Sequence, residues 1–145
     1  MDTFTADWLA LREPADARAR SANLASFVAD CLRHTSELHV LDLAAGTGAN
    51  ARYLAEFLPP RQQWLLIDND RALLALATAQ MRARYRVETR AVDLAFAFEP
   101  AAEDICAGRD LVTASALLDL VSTRWLHALA RRCRGTSAAV LFALT

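Results

Sequence analysis

The hydrophobic pattern changes period along the chain. Residues 3–12 carry spaced apolar positions that predict a short helix stopped by Pro14, because proline disfavours helix at the residue before it. Residues 15–33 predict a longer amphipathic helix, with Leu24, Phe27, Val28, Cys31 and Leu32 on one face. From residue 38 short apolar runs alternate with helical stretches. Strands are expected at 38–44, 62–68, 85–93, 110–116 and 137–144. Helices are expected at 49–58, ended by Pro59 and Pro60, at 70–83 with Asp70 as N-cap, and at 122–133. Runs such as Leu65-Leu66-Ile67 are apolar without alternation, as strands covered on both faces are. Strands alternating with helices of this length imply right-handed crossovers and a parallel sheet. The expected class is α/β, doubly wound, with helices on both faces.

The length of 145 residues suits a single domain, 1–145, in which a helical segment (1–37) precedes an α/β core (38–145). With 54% hydrophobic and 23% charged residues the chain has enough apolar material for a core. The net charge of −1 provides no bulk attraction to phosphate backbones or anionic lipid, and all 16 basic residues are arginine. Arg82, Arg84, Arg86 and Arg90 fall on a helix end and a strand, where a solvated edge is the ordinary reading, so no nucleic-acid partner is expected. Cys31, Cys106 and Cys133 are scattered, odd in number and without C-x-x-C spacing, which argues against a disulfide scaffold or zinc site. No apolar run reaches the roughly 20 residues that span a bilayer. No basic-then-apolar leader opens the chain. The expectation is therefore a cytoplasmic protein without metal or membrane.

The chemistry concentrates in Val40-Leu41-Asp42-Leu43-Ala44-Ala45-Gly46-Thr47-Gly48-Ala49-Asn50, between the first strand and its helix. In a doubly wound sheet ligands bind at the carboxyl ends of the strands. Glycines there permit sharp turns and close backbone approach, and the next helix turns its free N–H groups to the same crevice. Asp68 ends the second strand, 20 residues beyond Gly48 (68 − 48), where an acid accepts from ribose hydroxyls. Asp93 ends the third. Three successive strands thus bring an acid to the ligand-facing edge, where polar ligand groups would offset the cost of burial. Singly, each acid also fits a structural role: Asp42 as a cap of the glycine turn, Asp68 as an acid at a helix N-terminus, Asp93 as a turn residue.

With these residues the chain resembles the class I S-adenosylmethionine-dependent methyltransferases, over roughly residues 38–144. VLDLAAGTGAN is similar to their first motif, with Asp42, Gly46 and Gly48 in place. Ala44 replaces the first glycine, a change tolerated where φ is negative. LLIDND resembles the second motif, which makes Asp68 the ribose ligand and puts Asn69 beside adenine. AVDL resembles the third, with Asp93 at the adenine amino group and Leu94 donating its backbone N–H to the ring. DLVTASALLDLV resembles the fourth, with Ser115 and Ala116 beside the methionine part. The resemblance implies a Rossmann-like methyltransferase sheet of parallel strand order 3-2-1-4-5. It implies S-adenosylmethionine as cofactor, S-adenosylhomocysteine as product, and a small-molecule methyl acceptor. In this family an arginine ahead of the first strand sometimes meets the cofactor carboxylate; Arg18 and Arg20 are read here as a solvated helix face.

Asp119 is the one candidate for a general base, against its role as an N-terminal acid of the next helix. The motif after the fourth strand is not the Asn/Asp-Pro-Pro-aromatic signature of nucleic-acid amino methylation. Family members continue with a helix and two more strands, so the expectation is a sheet lacking its usual last two strands. Its exposed C-terminal edge would be open to self-association, and the chain would bind cofactor without independent turnover. An NAD enzyme is the third reading, since Gly46, Gly48 and Ala51 also satisfy G-x-G-x-x-G/A; Asp42 ahead of the glycines favours the methyltransferase.

Overall fold

The computed structural model describes residues 4–144. Two helices, α1 (Ala6–Ala19) and α2 (Ala22–Leu32), precede β1 (Leu38–Leu43), α3 (Ala49–Ala55), β2 (Gln62–Asp68), α4 (Arg71–Met81) and β3 (Arg86–Ala91). β4 (Leu111–Ser115), α5 (Thr123–Thr136) and β5 (Ala139–Ala143) complete the chain. The five strands form one sheet, parallel as the alternation of elements predicts, in the order β3-β2-β1-β4-β5 that the resemblance implies.

Period-2 alternation along the central strands divides the core. Val40, Trp64, Leu66 and Leu111 point to one face, where α2, α3 and α4 supply Ala25, Leu54, Leu74 and Met81. Leu41, Leu43, Leu65, Ile67 and Val112 point to the other, against Phe98, Ile105, Trp125 and Leu129. The helices after β1 and β2 thus share one face, and α5 occupies the other. The β3–β4 connection is not helical. Its 3-10 turn at Leu94–Phe96 leads into an irregular segment held by Arg132, which donates to Glu99 O at 2.9 Å.

Two expectations for the N-terminal segment are corrected. Pro14 does not stop α1; it lies inside it. The proline cannot donate to the carbonyl four residues back, but Ala10 is an exposed residue, where solvent can satisfy the freed acceptor at lower cost than in a buried helix. The break falls later, at Ser21, whose extended backbone and side chain, accepting from Leu24 N, start α2 as an N-cap. The expected amphipathic face holds only in part: Val28 and Leu32 pack against the core beside buried Ala25, while Leu24, Phe27 and Cys31 are exposed. α3 ends three residues before the expected 58, as Phe57 N and Leu58 N both turn back to Leu54 O.

Candidate functional site

A cleft of about 430 Å³ lies at the carboxyl ends of β1, β2 and β4, with α1 along one side. Of the residues the motifs single out, Ala44, Gly46, Asp68, Asn69, Asp93, Leu94, Ser115 and Ala116 line it together. Asp42, Gly48 and Asp119 do not. Asp42 is fully buried below the loop, Gly48 packs against α4, and Asp119 is exposed on the 3-10 turn Leu118–Leu120. Asp119 therefore does not face the cleft as a base would.

The loop after β1 takes three left-handed residues in five, Ala44 (φ 54), Gly46 (φ 55) and Gly48 (φ 84). The negative φ expected at Ala44 is not found. The turn demands the conformation that the family's glycine adopts without strain, and alanine carries it at a cost of about 1–2 kcal/mol. Ala44→Gly should therefore raise stability by up to about 1 kcal/mol in urea denaturation, the relief being partly offset by the freer unfolded chain. A loss of stability would contradict the strain.

Asp68 braces this loop. Its Oδ2 accepts from Gly46 N and its Oδ1 from Asp70 N, both at 2.9 Å, so one carboxylate fixes the glycine turn and the entry to α4. Asp70 then caps α4, accepting from Ala72 N at 2.9 Å and Leu73 N at 3.2 Å. Asp93 accepts from Ala95 N at 2.9 Å and starts the 3-10 turn while lining the cleft. Asp68 and Asp93 thus fill the structural roles that the sequence offers while lining the cleft, each carboxylate having lone pairs beyond those bonds.

Beneath the loop lies a polar network that the motifs do not reveal. Asn50, in the first turn of α3, donates from Nδ2 to Asp42 Oδ1 at 2.9 Å and to Thr113 Oγ1 at 3.1 Å; Thr113 donates onward to Leu141 O at 2.6 Å. Asp42 therefore holds the side chain of Asn50 and not the glycine turn, which belongs to Asp68. Asn50 Oδ1 accepts from Arg20, and Arg20 also donates to Ser115 Oγ at 2.9 Å and lies 5.1 Å over the Tyr53 ring. Arg20 is accordingly no solvated helix residue. It sits in the α1–α2 break, partly buried, its hydrogen bonds going to neutral acceptors on the cleft wall, and burial lowers its pKa. A serine N-cap right after Arg20 was the available sequence signal, because it turns residue 20 out of the helix.

Asp42 Oδ2 is buried and has no hydrogen-bond partner among the described residues. Desolvation pushes its pKa from 3.8 up to about 7, against the opposing effects of the Asn50 hydrogen bond and Arg20. A group whose folded pKa is raised holds its proton more tightly when folded. Its contribution to stability is full below about pH 4 and is lost as pH rises through about 7. Asp42→Asn, which mimics the protonated acid, should flatten the fall in unfolding free energy between pH 5 and 8. An unchanged slope in the variant would assign the pH dependence elsewhere.

The comparisons with known proteins agree with this geometry. Residues 40–136 match the family model described as a methyltransferase domain. A search of curated proteins finds no match. Among solved structures, the chain is similar to an O-methyltransferase family protein from Burkholderia thailandensis (19% identity, TM-score 0.59, covering 93% of this chain and 40% of that one). It is also similar to an S-adenosylmethionine-dependent methyltransferase from Clostridium acetobutylicum ATCC 824 (15%, 0.59, 94% and 55%). A third is the N-methyltransferase NodS from Bradyrhizobium japonicum WM9 (14%, 0.60, 90% and 69%). At these identities the likeness establishes the fold, and the chain spans only 40% and 55% of the first two structures. The family model covers well over half of the chain: this protein belongs to the methyltransferase domain family, on a Rossmann-like sheet.

Proposed function

We propose that the cleft binds S-adenosylmethionine and that the chain serves methyl transfer to a small-molecule acceptor. The observation that carries this is the pairing, in one cleft, of an acid on the loop side with a cation across it. Asp68 braces the glycine turn, and among the described residues Arg20 hydrogen-bonds two neutral side chains, Asn50 of α3 and Ser115 of β4. An acceptor at one end and a cationic donor at the other fit a ligand with a ribose diol and a carboxylate. Asp68 would accept from the ribose hydroxyls, Asn69, Asp93 and Leu94 would flank adenine, and Arg20 with Ser115 would take the carboxylate as charge-assisted hydrogen bonds. When bound, S-adenosylmethionine supplies a methyl group activated by its sulfonium. The chain's contribution is to orient and to exclude water, which suffices for much of the acceleration where the reacting atoms are held in line.

Calorimetric titration tests the assignment. S-adenosylhomocysteine should bind and NAD should not; the reverse would favour a dinucleotide enzyme. Arg20→Met should weaken S-adenosylhomocysteine by about 1.5–3 kcal/mol, the usual worth of a hydrogen bond to a charged group. It should leave methylthioadenosine, which lacks the carboxylate, unchanged. Equal losses for both ligands would remove Arg20 from the carboxylate site.

A further inference from the structure

α1 and the residues flanking it present two rows of side chains to the cleft, and they behave differently. Leu9, Glu13 and Arg20 dock the helix. Leu9 Cδ1 lies 3.6 Å from where a Cβ on Gly46 would stand, Glu13 pairs with Arg52 through both oxygens at 2.8 Å, and Arg20 bonds Asn50 and Ser115. The neighbouring row, Phe4, Trp8, Arg12 and Asp16, is spaced by four and also lines the cleft. Its contacts run within itself. The Phe4 and Trp8 rings stack at 4.7 Å and 13°, the Arg12 guanidinium lies 4.7 Å over the Trp8 ring, and Arg12 pairs with Asp16 at 3.1 Å. Among the described residues no side-chain hydrogen bond or ion pair ties this row to the α/β core.

Phe4 is 45% and Trp8 39% exposed, and from the β4 side the cleft adds Leu120, itself 55% exposed, and buried Leu117. Large apolar side chains left open in a concave site that also carries polar groups are what a small-molecule pocket presents. Aromatic faces offer wide contact area at low entropy cost and favour offset or edge packing of another ring. A guanidinium over the stack favours electron-rich rings. Asp16 lines the same cleft as Arg20, Asn50 and Ser115 and adds a carboxylate to the wall of α1.

We infer that Phe4, Trp8, Arg12 and Asp16 form the wall that receives the methyl acceptor, and that the acceptor is a planar, electron-rich aromatic alcohol or amine. The ring packs against Phe4, Trp8 and Leu120, and its O–H or N–H donates to Asp16. The assignment rests on S-adenosylmethionine filling the strand-end part of the cleft. It makes Trp8 a specificity residue and Asp16 a positioning group for the nucleophile. Asp16 pairs with Arg12 through Oδ1, whereas Glu13 gives both oxygens to Arg52 and Asp68, Asp70 and Asp93 are bonded to backbone N–H groups.

The test uses the chain saturated with S-adenosylhomocysteine and, as probe, 2-naphthol, with decahydro-2-naphthol as the non-planar control. The naphthol should bind saturably and the control at least about tenfold more weakly, a factor in line with the worth of aromatic pairs. Trp8→Leu should weaken the naphthol by about tenfold and Asp16→Asn by about fivefold, as loss of one hydrogen bond does. Both should hold S-adenosylhomocysteine within about twofold of wild type, since neither side chain is asked to touch it. Phe27→Leu, on the exposed face of α2 away from the cleft, should change neither affinity. Equal binding of naphthol and control, or of naphthol to wild type and Trp8→Leu, would overturn the inference. Loss of S-adenosylhomocysteine binding in Trp8→Leu would give the wall to the cofactor and overturn it too. Failure of wild type to bind S-adenosylhomocysteine would instead defeat the cofactor assignment, and this inference with it.

Discussion

Gly48→Val is expected to cost the fold about 3 kcal/mol, a large share of the roughly 5–15 kcal/mol that holds a domain together. Two separate costs add. The backbone at Gly48 has φ 84, where a side chain costs about 1–2 kcal/mol and a β-branched one more. A Cβ there would also stand 3.0 Å from Ala77 Cβ and 3.2 Å from an Arg52 guanidinium nitrogen. Arg52 can move, but Ala77 is fully buried in α4, so α3 must shift away from α4 at an overpacking cost of about 1–3 kcal/mol. Urea denaturation should show a lower midpoint at constant slope. Gly135→Ala is the control: it lies in α5 with nothing within 4 Å of its new methyl, and should gain about 0.5–1 kcal/mol. A Gly48→Val midpoint within error of wild type would show that the α3–α4 contact yields freely.

Asp68→Ala is expected to weaken S-adenosylhomocysteine by about 1–3 kcal/mol, or roughly 5- to 150-fold, because it takes one partner from polar groups that the ligand desolvates. The loss has two sources. The ribose hydroxyls lose their acceptor, and Gly46 N and Asp70 N lose the carboxylate that fixes the loop. Asp68→Asn separates them. Its one carbonyl oxygen can accept from only one side of the former brace, while its amide can still meet a ribose oxygen. Alanine should therefore cost more affinity than asparagine, while both loosen the loop. Unchanged affinity in Asp68→Ala by calorimetry would rule the residue out of the ribose site.

Much of the sheet was legible because its determinants are local. Continuous apolar runs such as Leu65-Leu66-Ile67 mark strands covered on both faces, and the strand–helix alternation leaves one handed way to connect them. Asp68 was legible by its distance from the glycines. The N-terminal segment was not. Proline weighs against a helix interior by a general rule, but whether a lost hydrogen bond matters depends on exposure, and Ala10 is open to water. The same segment hid Arg20, whose role arises from contacts 30 and 95 residues away. Ala44 shows a further limit: the substitution was visible, but the sign of φ is set by the turn around it. Asn50 closes the first motif's segment without an assigned role there, and its importance follows from Asp42 and Thr113 converging on it from β1 and β4.

The most direct measurement is a crystal structure of the chain with S-adenosylhomocysteine. The ligand is expected along the carboxyl ends of β1, β2 and β4, its ribose hydroxyls within hydrogen-bond distance of Asp68 and its carboxylate on Arg20. Ligand density elsewhere, or a ribose that Asp68 does not touch in a cleft where Arg20 still bonds Asn50 and Ser115 alone, would contradict it.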